Sequence, residues 1–154
     1  MHTIARRTLT LSMFAAFACA PLAHAQDAAS PCPALPSAAG DLIWTDMQAG
    51  DLHLCRAIDA EGREAFAVTI SRDTPFRPQR GLREEEGRFA GDTLWWYRSE
   101  IAGRPDELVR ETLLEIDRNR VAHVVIRTDD ATALKQYQNV VENLRFGEAG
   151  LAQR

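Results

Sequence analysis

Residues that carry chemistry are scarce in this chain. Its 154 residues hold three cysteines, four histidines and a single lysine, Lys135. No CxxC pair, HExxH, GxSxG, phosphate-binding glycine loop or GxGxxG occurs. Those absences remove the sequence signatures of thiol oxidoreductases, zinc proteases, α/β-hydrolases, P-loop NTPases and dinucleotide enzymes. A basic excess is missing as well. The chain carries 18 Lys and Arg against 22 Asp and Glu. Arg6 and Arg7 fall in the N-terminal segment, so the remainder has a formal charge of about −6. That balance lacks the footprint of a nucleic-acid binder or a basic membrane-surface patch. Beyond residue 25 no run approaches the ~18 consecutive apolar residues of a transmembrane helix. The expectation is no cofactor, no metal and no nucleic-acid partner.

What is present begins with an export signal. MHTIARR is a short basic segment without an acid, TLTLSMFAAFACAPLA is an apolar stretch, and Ala23-His24-Ala25 is a small-x-small cleavage site. Residues 1–25 read as a signal peptide and are excluded from fold reasoning. A twin-arginine signal is matched only by Arg6-Arg7 and Leu9. The alternative processing is a lipobox ending at Cys19, which would leave a lipid-anchored chain. The preference for arginine over lysine points to a GC-rich bacterium, and the expected location is the periplasm of a Gram-negative cell. With Cys19 in the signal, Cys32 and Cys55 remain, and in an oxidising compartment two cysteines form one disulfide. The closed loop is worth about 3 kcal/mol in the chain-entropy account. A redox or zinc pair would need different spacing and histidines nearer in sequence than His53 and His123.

The remaining pattern is one domain. Residues 26–40 are a Pro/Ala-rich leader, 41–147 a single α+β domain and 148–154 a C-terminal tail. Short β-prone runs follow the leader at 42–47, 51–59 and 63–71, the last alternating Phe66, Val68 and Ile70 with Ala65, Ala67, Thr69 and Ser71. Pro75 and Pro78 bar a central strand from the 72–92 segment. Its second half, GLREEEGRFAGD, could form a short exposed hairpin. Glu84, Glu85 and Glu86 would not converge on a metal ion from a strand, because alternate residues point apart. TLWWYRSE, ELVRETLLEID and RVAHVVIRT read as further strands. DDATALKQYQNVVENLRF then places Leu134, Tyr137, Val141 and Leu144 at helical spacing, with Asp129 or Asp130 as the cap. The expected fold is an antiparallel sheet of about six or seven strands with a C-terminal helix on one face.

His123, Val124, Val125 and Ile126, followed by the helix and by Leu144, Arg145 and Phe146, resemble the closing strand–helix–strand of the PsbP/Mog1-like fold group. The resemblance covers about a quarter of the mature chain. It departs from the group in showing no helix between the first strands and the Trp-rich strand. The group shares no catalytic residues, and its members are mostly binding or assembly proteins, so the resemblance implies binding.

No catalytic residue is assigned. Ser71, His53 and His123 could be written into a triad with any acid, as in almost any domain of this size. Glu111 and Glu115 alternate with Val109 and Leu113, which reads as a partly exposed sheet face rather than a glycosidase pair. The candidate binding residues are Trp95, Trp96, Tyr97, Arg98, His123 and Arg127. In a strand Trp95 and Tyr97 enter one face, and Leu94, Trp96 and Arg98 the other. One helix covers one face, so the other needs the leader, the 72–92 segment or a partner. The expected function is a non-catalytic exported protein-binding module, an inhibitor or immunity-type protein being one form, with another envelope protein as partner. The alternatives are a carrier or sensor of a small apolar or aromatic ligand held between sheet and helix, and a minor hydrolase.

Overall fold

The computed structural model describes residues 32–147. The signal peptide, Cys19, the first part of the leader and the 148–154 tail lie outside the described residues. Seven strands form one antiparallel sheet: β1 (Ile43–Ala49), β2 (Leu52–Ile58), β3 (Glu64–Ser71), β4 (Arg83–Phe89), β5 (Asp92–Ser99), β6 (Leu108–Asp117) and β7 (Arg120–Thr128). Their spatial order is β1-β2-β3-β7-β6-β5-β4, which leaves β1 and β4 as the edges. The helix α1 (Ala131–Glu142) follows β7. The fold is therefore α+β, as the alternating runs and the late change of period predict. The GLREEEGRFAGD segment, expected as a short exposed hairpin, forms the first strand and the turn of one whose second strand is the Trp-rich run. Its first half is β4, which turns through Ala90-Gly91 and pairs with the Trp-rich strand, Glu86 opposite Trp95.

Alternation divides the sheet into two faces. Phe66, Val68 and Ile70 of β3 stand beside Ile126, Val124 and Ala122 of β7, and these beside Arg110, Thr112 and Leu114 of β6. Leu134, Val140 and Val141 of α1 close this layer, and Phe66, Val124, Ile126, Val140 and Val141 are fully buried. Each such side chain contributes roughly 1.5–3 kcal/mol through burial. Asp130 caps the helix, its carboxylate accepting from Thr132 N–H at 2.7 Å. Thr112, buried on the same face, donates to the carbonyl of Trp95 at 2.9 Å and carries a cross-strand bond where the β5–β6 ladder stops.

The described part of the leader also joins the helix face. Cys32 and Cys55 are disulfide-bonded with Cα atoms 5.7 Å apart. Ala34 bridges Arg145 in an isolated antiparallel pair. Trp44 donates from Nε1 to the Pro33 carbonyl at 2.7 Å and meets Phe66 edge-on at 5.6 Å. The leader is thus stapled over the helix side and leaves the second face of the sheet to other cover. Among the described residues no helix is long and apolar enough to cross a membrane.

Candidate functional site

The second face gathers four of the six predicted binding residues. Trp95 and Tyr97 of β5 and His123 and Arg127 of β7 all project there, with Glu111 of β6 between the two strands in register with Tyr97 and Val125. Trp96 and Arg98 enter the opposite face. Trp96 is fully buried beneath α1, and Arg98 pairs with Glu84 at 3.5 Å. A partner on the open face cannot reach Trp96, which leaves the set of surface candidates.

The 72–82 segment covers the middle of the open face. Phe76 stacks on the His123 ring at 4.8 Å and meets Tyr97 edge-on at 5.7 Å. The segment holds its shape locally. Asp73 accepts from Thr74 N–H at 2.8 Å, Thr74 Oγ1 accepts from Phe76 N–H at 3.2 Å, and Arg77 donates to the Thr74 carbonyl. Beneath Phe76, His123 Nε2 lies 2.7 Å from Glu111 Oε2. The His123 hydrogen bond holds the Glu111 carboxyl below its ordinary range. Burial opposes that effect, and Ser99 and the charges of His123 and Arg127 assist it. The carboxylate is the acceptor that His123 meets and that Ser99 helps to hold in its charged form. A hydrolytic relay needs the imidazole in the middle, next to the hydroxyl. The arrangement is a fixed polar network under an aromatic lid.

Around this centre the face is open. Trp95 is half-buried, with the Arg83 guanidinium 4.7 Å from its ring centre. Such a cation–π contact is worth about 0.5–1 kcal/mol at an exposed site. Toward β1 the exposed side chains turn apolar: Ile43 is 62% exposed, Met47 57% and Leu52 39%. Register places Ile43 beside Ile58 and Met47 beside Leu54, and among the described residues no strand pairs with the outer side of β1. Sequence reasoning missed the role of Phe76, because a loop residue's target cannot be read from its neighbours. It also set aside Glu111 as an alternating acid, although the alternation correctly placed it on this face.

On the helix face the polar groups are structural. Arg110 donates to both oxygens of Glu85 at 2.8–3.1 Å, and Gln138 reaches the same carboxylate at 3.2 Å. Glu142 accepts from Trp96 Nε1 at 3.1 Å and from Arg88 N–H at 3.2 Å. This carboxylate lies against Gly87, where an added Cβ would come within 2.2 Å of it. Cys32, His53 and Cys55 bring potential ligand atoms within 4.8 Å of one another, but the two sulfurs are spent on the disulfide and His53 lies 3.2 Å from Asp46. Between sheet and helix, where the alternative reading would hold a small ligand, lie the side chains of the core cluster, among them Phe66, Val124, Val140 and Val141. Comparison with known proteins finds no matching family model, no matching curated protein and no matching solved structure.

Proposed function

We propose that this is an exported protein-binding module that docks another envelope protein on the open face of its sheet, along β1 and β2. One observation carries the reading: a stripe of side chains, Ile43 and Met47 of β1 and Leu52 of β2, stands exposed, and the outer side of β1 pairs with no other strand among the described residues. Thr45 and Arg56 stand between Ile43 and Met47 on this face, so the apolar positions alternate with polar ones, as in an interface that combines apolar anchors with polar contacts. An edge strand offers a row of backbone donors and acceptors that a partner's extended segment can complete, with side chains on alternate positions supplying specificity. The half-buried Trp95 with Arg83 lies on the same face and has the residue types that dominate interface energetics. The N-terminal signal pattern and the disulfide support a periplasmic setting. The resemblance to the PsbP/Mog1-like group supports binding rather than chemistry, and an inhibitor or immunity-type role fits this surface.

The test is site-specific photocross-linking in the native periplasm, with the cross-linking residue at Met47 on the stripe or at Gln136 on the exposed side of α1. The reading expects one partner from position 47, none from position 136, and loss of that partner in a folded Leu52→Asp variant. A partner captured equally from both positions, or unmoved by Leu52→Asp, would sink it.

A further inference from the structure

At the end of the sheet where α1 stops, a cleft of about 770 Å³ opens. Its floor is apolar: Phe89 from the end of β4, Ile116 from β6, and Leu144 and Phe146 from the segment after the helix. Phe89 and Phe146 meet edge-on at 5.9 Å, and all four pack against or belong to the core. The size lies within the ~300–1,000 Å³ range of small-molecule sites, and an apolar floor with a few polar groups at one side is their usual composition.

The rim is basic, in a chain that is otherwise acidic. Arg118 and Arg145 line the cleft and make no ion pair with any described residue. Arg120 is held by Asp117 at 2.7 Å. Asp117 is committed further, since it also accepts from Asn119 N–H at 2.9 Å. Of the two acids at the rim, only Glu115 remains to balance the two uncommitted guanidiniums. A second cleft of about 580 Å³ adjoins on the far side of the same turn and adds Arg72.

The lip carries an independent oddity. Ala90 has φ of 51°, the one residue other than glycine with a positive φ among the described residues. A turn of this type ordinarily takes Asn, Asp or Gly at that position, and alanine there costs roughly 1–2 kcal/mol. The strained residue sets a methyl rather than an amide or carboxylate on the cleft wall. Strain of this kind concentrates at ligand-binding positions.

We infer that this cleft binds a small amphipathic anion, a carboxylate on a single apolar chain, with the chain on the Phe89–Ile116–Phe146 floor and the carboxylate between Arg118 and Arg145. The cleft shares no lining residue with the stripe of Ile43, Met47 and Leu52 and does not depend on the docking proposed there. Charge complementarity selects the sign of the head group, and the apolar floor selects an apolar chain over a polar solute.

Calorimetric titration of the full mature chain with dodecanoate, below its micellar concentration, tests the inference. Dodecanol and dodecyltrimethylammonium are the neutral and cationic controls. Dodecanoate should bind with one-to-one stoichiometry, and dodecyltrimethylammonium should not bind. Arg118→Glu and Arg145→Glu, both at exposed positions and each checked for an unchanged urea midpoint, should each weaken dodecanoate roughly tenfold. Equal affinity for the cationic amphiphile, or no change in either variant, would overturn the assignment. So would binding seen only when the chain is cut after Gly147, because the tail itself would then be the occupant.

Discussion

Trp95 and Trp96 are neighbours in β5, and the two faces they enter differ in kind. Trp96 is fully buried and its indole N–H is satisfied by Glu142 of the helix. Trp95 lies half-buried under a single guanidinium. The same contrast runs across the sheet. The helix face has a packed apolar layer, a disulfide-stapled leader and carboxylates placed to satisfy specific donors. The open face has one loop aromatic on a His–Glu pair, a half-buried Trp95 toward β4 and exposed apolar side chains toward β1. A sheet covered on one side can keep its stability in one layer and leave the other layer for recognition. Its stability and its binding can then be altered separately.

The largest expected effect breaks the contrast at those two residues. Trp96→Ala removes a fully buried indole and leaves Glu142 with Arg88 N–H alone of its two donors, and should cost about 4 kcal/mol. Trp95→Ala loses the contact with Arg83 and partial burial, and should cost about 1 kcal/mol. Urea unfolding of the two variants provides the comparison. Equal losses would mean that the open face is core and has no surface to offer a partner.

Gly87 sharpens the same comparison at lower amplitude. The Glu142 carboxylate sits where a Cβ of residue 87 would be. Gly87→Ala should push that carboxylate away and strand the buried Trp96 N–H, at a cost of about 2 kcal/mol. Gly81, in the 3₁₀ turn before β4, has open space in the same test and no positive φ. Gly81→Ala should change stability by no more than about 0.5 kcal/mol. Chemical denaturation midpoints at constant slope would separate the two.

The strands and the division of their residues between faces were readable because alternation with a period of two is a local property. Phe66, Val68 and Ile70 could be assigned to the core before any fold was known. The Cys32–Cys55 bridge was readable by elimination. Three things were not readable, and each depends on contacts distant in sequence. The side taken by the leader was decided by Cys55, whose strand position puts it on the helix face opposite Val68. The loop aromatic that covers His123 was decided by the path of 72–82 across the sheet. The pairing of Arg110 with Glu85 spans 25 residues and turns what looked like a charge misplaced among Leu108, Thr112 and Leu114 into a satisfied ion pair. Pattern gives the face of a residue, whereas its partner requires the topology.

The smallest expected effect concerns the open face and is read through pH. Glu111 has its carboxyl held below the ordinary value of 4.5, first by the His123 hydrogen bond and then by Ser99 and the charges of His123 and Arg127, against the opposing effect of burial. A carboxyl whose folded value is depressed binds fewer protons in the folded chain than in the unfolded one. Its contribution is therefore fully present above about pH 4.5 and is lost as the pH falls through the lower folded value. Asp59 and Asp117 are depressed in the same direction by their own turn hydrogen bonds, so the whole-protein acid slope cannot isolate the site. The difference between the wild-type chain and Glu111→Gln can. That difference should be constant from neutral pH down to about 5 and shrink toward zero below 4.5. If it persists undiminished at pH 3, the wild-type advantage comes from how the side chain packs beneath Phe76. The open face would then resemble the helix face more closely than its exposure indicates.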